Sequence, residues 1–299
     1  MFKRIGLLIL ANLAVFVVLS VVLSIVQMVF GLNFGTMAGS NLNLSTLFIF
    51  SMVVGFTGSV ISLLMSKTMA KMTMGLSMID TDRPQPGLEA YLVDVVRRQS
   101  QQAGIPMPEV AIYDGEPNAF ATGASKSSSL VAVSTGLLNL MDRQEVEAVI
   151  GHELSHVKNG DMVTMTLLQG VVNTFVFFFA RIIGWAVDRV ILRNEDDAPG
   201  AGYYITSMIL DICLGFLASM IVAYFSRWRE YHADAGSAQI MGSSAPMIAA
   251  LRRLGSIQPA ELPGQMKGFG ISGGIGSLFA SHPSLEDRIA ALEAHRYQA

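Results

Sequence analysis

The amino-acid sequence predicts a mainly α membrane protein, with four hydrophobic (transmembrane) helices attached to an α+β domain that contains a small β-sheet. Three observations carry that reading. The 299 residues are 52% hydrophobic and only 14% charged, with a mean hydropathy of +0.48, which is too apolar for an ordinary soluble domain in a chain too long for a lone anchor. Ile5 to Ser66 contains no charged side chain at all, and a second pair of apolar runs lies beyond residue 161. Between and after these runs come segments with helical and alternating periodicity and ordinary turn residues, the mark of a globular portion. The net charge of −3 and the absence of a basic patch exclude nucleic acid as a partner. Cys213, the single cysteine, rules out an internal disulfide and lies in an apolar run as a small filler.

Residues 1–66 form an N-terminal hairpin. Its spans are Ile5 to Phe30 and Thr46 to Ser66, each near the 20 or so apolar residues a bilayer requires, joined by the polar turn Gly31 to Ser45. A cleaved signal peptide is the competing reading of the first span; its apolar region is too long, and no small-x-small site leads into a polar start. Lys3 and Arg4 precede the hairpin, Lys67, Lys71, Arg83, Arg97 and Arg98 follow it, and the turn has no basic residue, which places both flanks, and the domain after them, in the cytoplasm.

Residues 67–161 hold the first part of the globular domain. Pro86 to Ala103 reads as an amphipathic helix with Leu88, Tyr91, Leu92, Val95 and Val96 on one stripe, stopped by Gly104-Ile105-Pro106. Val110 to Tyr113, Ala119 to Thr122 and Leu130 to Ser134 read as short strands. Asn118, Ala119, Phe120 and Ala121, running on to Thr122 and Gly123, are the candidate substrate edge strand, because an unpaired edge binds an extended peptide through its backbone; an ordinary hairpin arm is the alternative.

Met141 to Asp161 reads as one helix, opened by Asp142 and Glu145 as a capping box and stopped by Asn159-Gly160. Within it stands His152-Glu153-Leu154-Ser155-His156, an H-E-x-x-H. Histidines four apart project from one helical face and can converge on one cation, with Glu153 placed as a base, which is the geometry of a zinc peptidase. The chemistry this points to is peptide hydrolysis at a single Zn2+ per chain, with Glu153 taking the proton of a zinc-acidified water and passing it to the leaving amine.

Residues 162–226 return to apolar sequence. Met162 to Ala180 and Tyr203 to Ser226 are read as a second membrane hairpin with Asn194 to Gly202 as its acidic turn. Arg181, Asp188, Arg189, Arg193 and Asp211 fall within the pattern; at membrane depth such charges pair, face a water-filled cavity or mark the bilayer boundary. The alternative is a pair of long helices that dip partly into the bilayer and wall a polar chamber.

Residues 227–299 complete the domain. Glu230 and Asp234 are four apart on one helical face, so Glu230 supplies the third zinc ligand and Asp234 hydrogen-bonds a ligand imidazole, while His232 points elsewhere. Ala245 to Leu254 reads as a helix, Pro263 to Ala280 as a Gly-rich lid or linker, and Ser284 as the cap of a final helix to about His295. His282 is a candidate donor to the reaction's oxyanion, or a loop histidine bracing that helix. No G-x-S-x-G elbow and no P-loop is present, so neither serine-triad chemistry nor nucleotide binding is expected, and any unfolding of a substrate must come from a partner or from its own disorder.

Gly151 to His156 and Ser226 to Asp234, with Asn118 to Gly123 and Ser281 to Ile289, resemble the HtpX family of bacterial membrane metalloproteases, relatives of the CAAX prenyl endopeptidases. The resemblance spans nearly the whole chain. It implies a zincin-like catalytic domain facing the cytosol of the bacterial inner (cytoplasmic) membrane, zinc on His152, His156 and Glu230, and Glu153 as base. It further implies misfolded or damaged membrane proteins and unfolded polypeptides as substrates, often under stress, in a lipid bilayer shared with other membrane proteases or chaperones. Prenyl processing, a non-catalytic scaffold or regulator, and a metal or solute transporter are the other readings.

Overall fold

The computed structural model describes residues 2–34, 42–256 and 281–297, with side chains described from residue 16 onward. The expected Gly-rich stretch Pro263 to Ala280 and residues 35–41 of the first turn lie outside the described residues. The chain divides into two compact units, one of Met1–Ser62 with Met165–Val222, the other of Leu63–Thr164 with Ala223–Ala299.

The first unit is helical. It contains α1 (Phe2–Phe30), the larger part of α2 (Leu44–Thr73), nearly all of α6 (Asp161–Ala186, continued by a π-helical turn at Val187–Ile191) and the first half of α7 (Ala201–Met241), whose second half belongs to the other unit. Among the described residues, three helices are long and apolar enough to cross a membrane, the ones beginning at Leu44, Asp161 and Ala201. The described side chains of α1 form a shorter apolar stretch, Phe16–Phe30. At 1.5 Å per residue, α7 is about 60 Å long, twice a hydrocarbon core, so it has length both to span and to continue beyond.

Close helix contact in this unit rests on small residues. A Cβ at Gly55 would stand 2.6 Å from Thr174 Oγ1 and 2.8 Å from the Gly170 carbonyl, which only glycine allows. The charges noted in the sequence find partners. Arg181 and Asp211 pair at 2.5 Å, with the guanidinium 3.6 Å from the centre of the Phe177 ring. Asp188 accepts from Asn194 Nδ2 and from the Gly200 amide, each at 2.9 Å, and so ties the π-helical turn to the loop after it.

The second unit is built on a mixed sheet in the order β1-β2-β4-β3, made of β1 (Ser77–Ile79), β2 (Glu109–Tyr113), β3 (Ala119–Ser125) and β4 (Ser128–Ser134). β2 and β4 run parallel; β1 and β3 are antiparallel to their neighbours. One face of the sheet carries Val110, Val131 and Val133 into a core with Leu92, Val95 and Val96 of α3 (Leu88–Ala103) and Val146, Val149, Ile150, Leu154 and Val157 of α5 (Arg143–Asn159). α4 (Thr135–Leu140) follows β4 directly, capped by the Ser134 side chain. α3 begins two residues later than its sequence pattern suggests, because Gly87, at a φ of 103°, turns the chain before the first helical residue.

α5 is also buried on its other side. Ala148 packs with Ala238 of α7, Met247 and Leu251 of α8 (Ala245–Ser256) and Leu292 of α9 (Leu285–Glu293). The α5–α7 contact is close: a Cβ at Gly236 would stand 2.8 Å from Ser155 Cβ, and Ser237 Oγ donates to the Ala148 carbonyl at 2.6 Å. At its start the expected capping box is formed, with Glu145 bound also by Arg253 Nε at 2.7 Å, and Gly160 in the left-handed conformation ends the helix.

The Arg181–Asp211 pair gives a direct test of how the first unit tolerates charge. Replacing either residue alone by leucine is expected to destabilise the protein by about 3 kcal/mol, since the other charge is left in apolar surroundings, whereas the double leucine variant recovers most of the loss. Thermal unfolding in detergent across the four variants reads the cycle.

Candidate metal centre

The H-E-x-x-H of α5 and the Glu230 of α7 meet inside the second unit. One nitrogen from each of His152 and His156 and a carboxylate oxygen of Glu230 lie within 4.8 Å of one another. The helix period explains the histidines: four residues apart, their rings stand edge to face with centroids 4.7 Å apart and their Nε2 atoms 3.1 Å apart. Glu230 Oε2 is 3.5 Å from His152 Nε2 and Oε1 is 3.3 Å from His156 Nε2. His152 and Glu230 are buried, and Glu153, next to His152 on the same helix, is half-buried.

Both histidines are oriented through their other nitrogen. His152 Nδ1 is 2.8 Å from Asp234 Oδ1, and His156 Nδ1 is 2.6 Å from Asp161 Oδ2. A carboxylate on Nδ1 takes up the Nδ1 hydrogen and turns the Nε2 lone pair to the common point, the arrangement seen at metal-binding histidines. Asp234 is in turn held by Arg288 of α9, whose Nε and NH2 reach its two oxygens at 2.8 and 2.6 Å.

The field at this point is strongly negative. Burial opposes a charged His152, yet the hydrogen bonds to Asp234 and Glu230 override it and raise its pKa to about 10. Burial likewise opposes charge on Glu230, and its contacts with His152 and His156 hold it ionised, far below the usual carboxylate range. Such a pocket favours positive charge, whether protons or a metal ion. Glu230 Oε2 is buried, with His282 Nδ1 at 2.9 Å and Arg288 NH1 at 3.6 Å as neighbours among the described residues. Two imidazole nitrogens and a carboxylate with a free lone pair are a donor set that fits a divalent transition metal.

Of the other residues singled out by the sequence, His282 is an exposed loop residue beside Glu230, and His232 is turned away, with its Nδ1 2.9 Å from the Trp228 carbonyl oxygen. Asn118 to Ala121 stand at and in β3, which pairs only with β4 and is the terminal strand of the sheet among the described residues. Sequence reasoning missed Asp161 and Arg288. The only signal for Asp161 was its place one residue after the helix stop, and Arg288 is 54 residues from Asp234, out of reach of any periodicity.

The fold and site together define a membrane metallopeptidase of the H-E-x-x-H type. Residues 86–296 match the family model described as Peptidase family M48. A curated relative from Acidovorax ebreus (strain TPSY), described as Protease HtpX homolog, is 57% identical over 293 residues, 97% of this chain and 98% of the relative. A second of the same description from Verminephrobacter eiseniae (strain EF01-2) is 57% identical over 98% of this chain and 99% of the relative. The crystal structure of S. mikatae Ste24p superposes with a TM-score of 0.64 at 19% identity, covering 98% of this chain and 67% of that one, a likeness of fold. The chain belongs to peptidase family M48 and is a membrane metalloprotease of the HtpX type.

Arg288 and Asp234 are expected to matter for metal holding as well as for folding, since loss of either leaves the other buried without its partner. Asp234→Asn removes the charged acceptor on His152 Nδ1 at nearly constant volume, and metal affinity should fall roughly 10- to 100-fold, as for loss of other carboxylates behind metal-bound histidines. Competition against a chromogenic chelator measures it.

Proposed function

We propose that this chain is an integral membrane zinc endopeptidase that degrades misfolded or damaged membrane proteins and unfolded polypeptides at the cytoplasmic face of a bacterial inner membrane, as part of protein quality control under stress. The observation that carries the reading is the convergence of His152, His156 and Glu230 on one buried point, with Glu153 beside it on the same helix. The three residues would hold one zinc ion, the metal for which two imidazoles, one carboxylate and an open position are a catalytic set. When bound, zinc supplies Lewis acidity, which makes a water more acidic and polarises the scissile carbonyl.

The rest of the chemistry belongs to the chain. Glu153 accepts a proton from the attacking water and delivers it to the leaving amine. Its side chain is only half-buried, which suits a base that must reach the substrate. Asp161 and Asp234 keep the two imidazoles in the tautomer whose Nε2 faces the site. His282, exposed and next to Glu230, is placed to donate a hydrogen bond to the developing oxyanion. The free edge of β3 would take the substrate as an added strand.

The charge-free run of residues 5–66 and the flanking lysines and arginines support four spans, counting α1 with the three long helices, and a cytoplasmic catalytic unit. Other membrane proteases or chaperones are the partners that would present substrates, since the chain has no nucleotide-driven unfolding module.

The test is cleavage of an unfolded membrane substrate by the full chain, purified with chelator and reloaded with zinc, compared with Glu153→Ala. The variant should bind zinc as the parent does and lose at least 100-fold in kcat. A parent that binds zinc and cuts nothing would turn the reading toward a scaffold, and metal flux into proteoliposomes that survives Glu153→Ala would turn it toward a transporter.

A further inference from the structure

The two zinc-binding histidines proposed above are supported unequally at first sight. His152 is followed by Asp234 and then by Arg288, a chain of imidazole, carboxylate and guanidinium. His156 has its carboxylate, Asp161, but Asp161 is only 6% exposed, and a carboxylate at that depth is costly without a positive partner.

That partner is Arg229. Its NH1 donates to the Asp161 backbone carbonyl at 2.8 Å and lies 4.0 Å from Asp161 Oδ2. The Arg229 side chain is 15% exposed, and its Nε is buried without an acceptor, so the guanidinium is fixed through the Asp161 contact rather than spread over a solvated surface. Successive residues on a helix diverge by about 100°, which lets α7 aim Glu230 at α5 and Arg229 at the first turn of α6.

We infer that Arg229 is a positioning residue for the metal site: it holds the main chain at Asp161, and with it the carboxylate on His156, as a looser counterpart of Arg288, which hydrogen-bonds the Asp234 carboxylate itself. The two arms set a guanidinium group beside each of two buried carboxylates, and Arg288 NH1 also lies 3.6 Å from Glu230 Oε2. They also make metal holding conditional on one helix contact. Asp161 is the first residue of α6, one glycine beyond the H-E-x-x-H helix, and Arg229 immediately precedes the third ligand on α7. A slide of α7 along the start of α6 would draw the clamp and the ligand away together.

The inference rests on the zinc reading, and the experiment separates the two. Zinc affinity is measured by chelator competition on the full chain in a Glu153→Gln background, where no variant can digest itself, for the parent, Arg229→Gln, Asp161→Asn and the double variant. Arg229→Gln is expected to weaken zinc binding about 10-fold and Asp161→Asn by at least as much. The double variant should bind zinc more tightly than the two losses multiplied would give, because Arg229 acts through Asp161; a residual Arg229 effect is expected, since asparagine keeps the backbone carbonyl that Arg229 binds. Arg229→Lys keeps the charge and should lose less; it carries the test should the glutamine variant fail to fold. In chains with Glu153 intact, the loss should appear in kcat at subsaturating zinc, with KM little changed.

Parent-like zinc affinity in the Arg229 variants, or losses that multiply in the double variant, would overturn the inference and leave the zinc reading standing. A parent that takes up no zinc would overturn both.

Discussion

Charge compensation in the buried centre is the constraint on which the rest of the second unit depends. Asp161, Glu230 and Asp234 are 6%, 3% and 1% exposed, and three carboxylates this close cannot stay ionised in a protein interior unless positive groups reach each of them. The groups that do so come from far apart in the chain: His152 and His156 from α5, Arg229 from α7 and Arg288 from α9. The packing follows from this need. α9 is brought against α5 and α8 through Leu292, and that contact delivers Arg288; Ser155 against Gly236 brings α7 close enough to α5 for Glu230 to face both imidazoles. A larger residue at position 236 would separate the ligands from the third donor as well as the helices from each other.

The same contacts explain why α5 has no solvated face along most of its length. Its Val149, Ile150 and Leu154 side enters the core shared with α3 and the sheet, and its Ala148 side meets α7, α8 and α9. Helix amphipathicity in the usual sense is therefore weak here, and the polar stripe that remains carries the histidines and Glu153. The histidines are held by burial from both directions, and rigid walls of this kind keep metal ligands within fractions of an ångström of a working geometry.

Much of the centre was legible in the sequence because its residues repeat at the helical period. His152 with His156 and Glu230 with Asp234 are both spaced four apart, and four-residue spacing places side chains on one face whatever the tertiary structure. The capping box of Asp142 and Glu145 and the stop at Gly160 are local chemistry and were readable for the same reason. Asp161 and Arg288 were not, since each acts through a contact made only when separate elements pack. In the fold, β1 escaped because Ser77-Met78-Ile79 is three residues with no alternation to detect, and α4 because one and a half turns after a strand leave no periodic signal. The fourth apolar run continues into Arg227 to Asp234 without a breaker, so a helix through the third ligand is readable from sequence; α7 runs on from there to Met241.

The sheet edge bears on selectivity. Among the described residues β3 is the outermost strand, next to β4 on one side only, and Gly123, at a φ of 137° with a Cβ position 2.1 Å from the Ser128 carbonyl, sits at the irregularity between Gly123 and Ser125. A peptide added along Ala119 to Thr122 would be recognised by backbone hydrogen bonds, which read extension and not sequence. Side-chain preference would then be weak, and folded proteins would be excluded for a different reason, since their strands are already paired. In the reading proposed above, discrimination on that basis would need no specificity pocket, only a segment that is unfolded and able to reach the edge.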